Sequence, residues 1–182
     1  MTYKKALEFA EFHHRGQVRK YTNTPYILHP IRVANRVRDY FHKDSYQVQA
    51  AILHDTIEDC KNVDYNNIAL EFGTKVAELV LELTSHSKQD KEVGKKNRKE
   101  RKIADREYLS KVSNDAKIIK ACDRIDNLME LPEEEAGGFY YKYLEESKLL
   151  YEVISQPDLP RELDIEFRKL IGLEIYYRYG LD

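Results

Sequence analysis

The sequence predicts an all-α fold, a globular bundle of helices forming a single domain. Three observations predict it. Apolar residues recur at helical spacing along most of the chain. No stretch alternates apolar and polar residues as a half-buried strand does. Capping residues and glycine or proline breaks fall where the apolar stripes begin and end. At 182 residues the chain can build one domain with a real core, and is too short for two large ones.

The elements follow in order. Ala6, Leu7, Ala10 and His13 mark a first helix. Pro30 suits the first position of a helix running through Val33, Ala34 and Val37, because its missing N–H has no partner to lose there. Ser45 caps a helix carrying Val48, Ala51 and Ile52, with His54 at its end. Asn66 or Asn67 caps a short helix that Gly73 terminates, and Thr74 starts another with Val76, Leu79, Val80 and Leu83 as its stripe. Residues 85–97 are the longest irregular stretch, a length that in compact domains marks a functional or disordered segment. Residues 98–112 read as a helix with Ile103 and Leu109 inward, and Asp115 opens the next, through Ile118, Ala121, Ile125 and Leu128. Two tyrosine-rich helices near 139–155 and 161–179 close the chain, linked around Pro157 and Pro160. The 14 tyrosines fit either a helix–helix interface or a core built with Tyr in place of Trp.

Composition narrows the function. Apolar residues make up 42%, with no run long enough to span a bilayer. The opening MTYKKALEFAEF is amphipathic and contains acids, unlike a signal or transit peptide, so a cytoplasmic protein is expected. Cys60 and Cys122 lie far apart without a CxxC partner, which argues for reduced core thiols over a disulfide framework or thiolate metal site. Net charge is −2, so bulk charge does not make the chain a polyanion binder. The basic run at 88–102 is either a solvated loop entering a helix or a phosphate-facing lid. It lacks interleaved aromatics and a recognition helix, so no nucleic-acid partner is expected. Oligomeric state leaves no mark in the sequence.

Four segments carry chemistry: His29-Pro30, His54-Asp55, Glu58-Asp59, and Asp123 followed four residues later by Asn127. A bundle can bring His29 at one helix start, His54 and Asp55 at another helix end, and Asp123 in mid-helix together. Two imidazoles and two carboxylates suit a divalent cation with open positions for water or phosphate. Taken singly, each is more often structural, and a lone His-Asp pair is weak. Asp55, Glu58 and Asp59 strengthen the case, since at i, i+3 and i+4 they share one face of a helix whose neighbours look buried. Three like charges there repel unless a cation sits among them. Glu58 and Asp59 are placed to orient a water or move its proton. Asn127 sits one turn after Asp123, a position for orienting that carboxylate or touching ribose or phosphate; the alternative is an ordinary helix-interior Asn. Arg19 and Lys20 precede a loop expected to fold back beside the metal, where Arg19 could stack on a base or fork onto a phosphate, or simply be a surface Arg.

Together the runs HHRGQVRKYTNTPYILHPIRVA, AAILHDTIEDC, ELTSHSK and KIIKACDRIDNL resemble the hydrolase domain of RelA/SpoT-type alarmone enzymes, and more closely the stand-alone small alarmone hydrolases. The resemblance covers roughly residues 3–131, with 139–179 as additional helices of one HD-type phosphohydrolase domain over 1–182. It implies an all-helical HD fold, a divalent cation that is usually Mn²⁺, and removal of the 3′-pyrophosphate of (p)ppGpp to give GDP or GTP and pyrophosphate. By motif position it implies His29, His54, Asp55 and Asp123 as metal ligands, Glu58 and Asp59 as the catalytic acidic pair, and Arg19, Lys20 and Asn127 as nucleotide contacts. A synthetase domain, present in bifunctional members, has no room here. Departures occur at Ser85-His86-Ser87, Asp126, Met129 and Glu130; they fall outside the implied metal set and bear on the base or ribose pocket. Two alternatives stand beside this reading. One is an HD phosphatase acting on another nucleotide or a phosphorylated dinucleotide cofactor, and the other is a non-catalytic alarmone sensor.

Overall fold

The computed structural model describes residues 2–156 and 159–173. Helix α1 (Tyr3–His13) buries Ala6 and Ala10. Gly16, at φ +81°, then turns the chain into a loop that folds back on itself. The Arg19 N–H donates to the Thr24 carbonyl at 2.9 Å, and the Tyr26 N–H to the Gln17 carbonyl at 3.0 Å. Val18 and Pro25 form an isolated β-bridge there, and no strand occurs among the described residues. Helix α2 (Leu28–Val37) opens two residues before Pro30, whose missing N–H still falls among the unbonded donors of the first turn.

The Ser45 hydroxyl caps α3 (Tyr46–Leu53), accepting from the Val48 N–H. The chain then breaks at His54-Asp55 before the short α4 (Thr56–Asp59). Helix α5 (Tyr65–Phe72) is capped by Asp64, not by Asn66 or Asn67. Asp64 accepts from the Asn67 N–H and Asn67 returns a bond to the Asp64 N–H, both at 2.9 Å. Gly73, at φ +89°, ends α5 and starts α6 (Thr74–Leu83).

The stretch 85–97 is not irregular. It contains α7 (His86–Gln89) and α8 (Lys91–Gly94), packed so closely that a Cβ on Gly94 would lie 2.8 Å from the Ser87 carbonyl oxygen. Helix α9 (Arg98–Leu109) stops three residues short of the expected end and turns Leu109 inward. Ile103, expected inside, is 40% exposed. Asp105 takes the inner face instead, because it accepts the Ser87 N–H at 2.9 Å and so ties α9 to α7. Helix α10 (Asn114–Glu130) is capped by Ser113, not opened by Asp115. Asp115 sits in its first turn and accepts from the Tyr46 hydroxyl at 2.7 Å.

After α11 (Glu133–Ala136) come α12 (Gly138–Ile154) and α13 (Arg161–Leu170). Helix α13 ends at Leu170, short of the expected 179, as Gly172 at φ +69° turns the chain; Pro157 and residues 174–182 lie outside the described residues. Helix α10 is the axis of the bundle, with α2, α3, α6, α12 and α13 packed around it. Ile119, Ala121, Cys122 and Ile125 are fully buried along it, facing a single core that includes Val33, Ile52, Val80, Ile154 and Phe167. Burying each large apolar side chain contributes about 1.5–3 kcal/mol. The polar residues of α10 are therefore held where the core puts them.

Candidate metal centre

The break between α3 and α4 sets the first two functional side chains. The Thr56 hydroxyl donates to the Leu53 carbonyl at 2.6 Å, and the His54 Nδ1 bonds the Ala51 carbonyl at 2.8 Å. That bond fixes a proton on Nδ1 and turns Nε2 inward, toward Asp55. Asp55 follows at the mouth of α4. His29 is the second residue of α2, and Asp123 lies in the middle of α10.

All four converge. The Asp123 Oδ1 is 3.2 Å from the His29 Nε2 and 3.8 Å from the His54 Nε2. The Asp55 Oδ2 is 3.0 Å from the His54 Nε2 and 3.7 Å from the His29 Nε2. The donor atoms of His29, His54 and Asp123 all fall within 4.8 Å of one another. The buried His54 Nε2 makes no hydrogen bond, with the Asp55 Oδ2 standing 3.0 Å away. An orphaned, buried imidazole nitrogen amid two carboxylates and a second imidazole fits a divalent cation.

Neighbouring groups orient this set. Asp126 accepts from the His29 Nδ1 at 2.6 Å and is forked by Arg32, at 2.7 and 2.9 Å. One sequence departure therefore does touch the metal set: residue 126 holds the His29 ring with Nε2 facing the centre. Lys120 pairs with the other oxygen of Asp123 at 2.8 Å, and Asn127 donates to its Oδ1.

Electrostatics reflect the crowding. Burial opposes charge on His29, but the Asp123 and Asp126 carboxylates outweigh it and raise its pKa to about 9. Burial likewise opposes charge on Asp123 and Asp55. For Asp123 it is overridden first by Lys120, and for Asp55 by His54, so both carboxyls sit below the ordinary range.

Glu58 and Asp59 stand beside the centre, one turn on. Glu58 accepts the Ser85 N–H at 2.9 Å. The Tyr26 hydroxyl reaches the Asp55 Oδ2 at 2.6 Å and the Asp59 Oδ2 at 3.0 Å. One hydroxyl proton serves one carboxylate at a time, so Asp55 and Asp59 share this donor. The Asp59 carboxyl opens to solvent, yet partial burial and the charges of Asp55 and Glu58 outweigh the Tyr26 bond and raise its pKa.

Next to the centre lies a cavity of about 290 Å³. Arg19, Lys20 and Asn127 line it together with Tyr21, Tyr26, Phe139 and Tyr143. Arg19 donates to Asn127 and pairs with Glu130 at 2.8 Å, with its guanidinium 5.4 Å from the Tyr26 ring centre. Lys20 lies 4.9 Å from the ring centre of Tyr21, which stacks at 6.0 Å on Phe139. The cavity thus offers flat aromatic walls and cations beside a cluster of metal-binding type.

The HD domain family model matches residues 6–151, most of the chain. This chain belongs to the HD domain family. It is 39% identical over 132 residues to the guanosine-3′,5′-bis(diphosphate) 3′-pyrophosphohydrolase MESH1 of Mus musculus, covering 70% of this chain and 68% of that protein. It is 36% identical over 131 residues to the enzyme of the same activity name from Aquifex aeolicus, covering 70% of this chain and 17% of that longer protein. A solved structure of a metazoan ortholog of SpoT that hydrolyzes ppGpp superposes with a TM-score of 0.79 at 28% identity, covering 93% of each chain.

The structure places His29, His54, Asp55 and Asp123 in one cluster and Arg19, Lys20 and Asn127 along the adjoining cavity, whereas Asp59 reaches the cluster through Tyr26 and Glu58 accepts the Ser85 N–H. Sequence reasoning missed Tyr26, Lys120 and Asp126 around the ligands, and Phe139 and Tyr143 in the cavity wall. Tyr26 sat in the recognised PYILHP run, and Lys120 and Asp126 each lie three residues from Asp123, a spacing that shares a helix face. Phe139 and Tyr143 carried only the signal of an aromatic i, i+4 pair on α12. The basic run splits. Arg98 pairs with Glu146 at 2.9 Å, Lys95 with Glu92 at 2.6 Å, and Lys102 turns toward the interior. Among the described residues, no helix is long and apolar enough to cross a membrane.

Proposed function

We propose that this HD domain hydrolyses the 3′-diphosphate of (p)ppGpp, releasing pyrophosphate and leaving GDP or GTP, in the cytoplasm and with Mn²⁺ as its cation. The convergence of His29, His54, Asp55 and Asp123 around the partnerless His54 Nε2 carries this reading. The relatives named for this reaction supply the choice of substrate. His29, His54, Asp55 and Asp123 would hold the ion, which when bound lowers the pKa of a water and polarises a phosphoryl oxygen.

The protein's own groups do the rest. Glu58 and Asp59 orient the attacking water and carry its proton. The water oxygen bonds to the proximal phosphorus of the 3′-diphosphate, the P–O3′ bond breaks, and one proton ends on the 3′ oxygen. Arg19, Lys20 and Asn127 position the nucleotide in the aromatic cavity, and the basic groups offset phosphate charge.

The test is a substrate panel on purified protein with Mn²⁺, coupled to metal analysis. Pyrophosphate release from ppGpp is expected, lost together with the metal in Asp123→Ala. In Glu58→Gln, turnover should drop while metal stays bound. Orthophosphate release from a different nucleotide, or ppGpp binding without turnover, overturns the proposal.

A further inference from the structure

A second, smaller cavity of about 50 Å³ lies on the other side of the metal cluster from the aromatic one, between α9, α10 and α12. It has room for a few waters or one phosphoryl group. Lys102, Lys120 and Arg124 line it, with Asp105 and Glu146 as the opposing acids. Those acids are engaged elsewhere, Asp105 by the Ser87 N–H and Glu146 by Arg98. Arg124 is only 9% exposed; it donates to the Ser147 hydroxyl at 3.0 Å, but its Nε has no partner. Among the described residues Lys102 has no ion pair, and burial together with the charge of Arg124 lowers its pKa against the opposing pull of Asp105 and Glu146. Lys120 is matched by Asp123, but Lys102 and Arg124 have no ion pair among the described residues, and an anion that neutralises such buried cations removes their cost.

The position of this cavity is informative. Along α10, Asn127 reaches the aromatic cavity, Asp123 the metal cluster, and Lys120 the small cavity. From Asn127 to Lys120 the helix rises about 10 Å, comparable with a ribose carrying a diphosphate. Ser85 forms another wall, and its N–H holds Glu58.

We propose that this cavity is an anion subsite that receives the terminal phosphoryl group of the substrate's diphosphate, and so selects a diphosphate ester over a monophosphate. This rests on the hydrolase reading above. Lys102 and Arg124 grip the terminal phosphoryl oxygens, and Lys120 spans the two sites. The proximal phosphorus is thereby held beside Glu58 and the ligands.

Inorganic pyrophosphate and orthophosphate, titrated calorimetrically into the full chain with and without Mn²⁺, test the subsite directly. Lys102→Gln removes a side chain without an ion pair and should leave the fold intact, as a melting curve would check. It is expected to weaken pyrophosphate binding about tenfold, with or without metal, and to raise the KM for ppGpp more than it lowers kcat. Orthophosphate binding to the metal-loaded protein should be unaffected by Lys102→Gln. Equal pyrophosphate affinity in wild type and Lys102→Gln overturns the subsite, even if ppGpp is hydrolysed. Absence of ppGpp hydrolysis by the wild type sinks the hydrolase reading, and the pyrophosphate titration still decides whether the cavity binds a diphosphate.

Discussion

Replacing Asp126 by Asn isolates how the protein aims His29, a proposed metal ligand. Asp126 accepts the His29 Nδ1–H at 2.6 Å and takes both arms of the Arg32 fork. An Asn can keep one acceptor for His29, but its amide N–H₂ then faces guanidinium donors, so the ring loses its fixed orientation. Loss of such a partner costs about 10–100-fold in metal affinity, or about 1.4–2.8 kcal/mol. A second effect opposes it. With His29 titrating at about 9, a proton must leave before the nitrogen can bind an ion at pH 7. That competition is worth about 100-fold, from two pH units. The Asp126 carboxylate supports this proton, so removing its charge lowers the His29 pKa and relieves part of the competition. The deficit of Asp126→Asn should therefore be largest at pH 9 and smaller at pH 7. Mn²⁺ titrations against a fluorescent chelator under argon, at both pH values, measure it. An affinity within twofold of wild type at pH 9 would refute the orienting role.

The metal-free protein should lose stability as pH rises from 6.5 through about 9, because the raised His29 pKa stabilises the fold only while the ring is protonated. The loss, on the order of 3 kcal/mol, would show in urea melts with chelator present, and a flat profile across that window contradicts the assignment. Phe139→Ala removes a wall of the aromatic cavity and should raise the KM for the nucleotide about tenfold with kcat nearly unchanged, read from steady-state kinetics. Phe167→Ala empties a fully buried site packed edge-on against Tyr151 at 5.5 Å. It should cost about 3–5 kcal/mol in a single cooperative transition; a separate early transition would mean that α13 folds apart from the rest.

The helices were legible because their apolar residues repeat with the period of the helix, and the convergence of His29, His54, Asp55 and Asp123 because they stand in runs specific enough to be read together. What escaped the sequence depends on long-range partners. Ile103 points out because Asp105 found the Ser87 backbone, a bond between residues on separate helices. The short helices in 85–97 are too brief for periodicity to reveal, and they pack through Gly94 against Ser87. Asp64, not Asn66 or Asn67, is the cap because Asn67 is its reciprocal partner three residues on, a pairing that a cap-forming Asn in the sequence does not distinguish from capping itself. Asp126 looked like a substrate-pocket departure, since nothing local shows that α2 carries His29 and Arg32 against it. The aromatic wall needed α12 to be laid beside the loop at 17–26, a placement that composition alone does not fix.

The seat of Asp123 in the middle of the most enclosed helix has a consequence for durability. Amides of α10 near Ile119, Cys122 and Ile125 should exchange with deuterium only when the whole molecule opens, since all three side chains are fully buried. Fraying of the chain ends therefore does not disperse the cluster. Heat inactivation should run at the rate of global unfolding, with no earlier stage in which an intact-looking protein has gone silent.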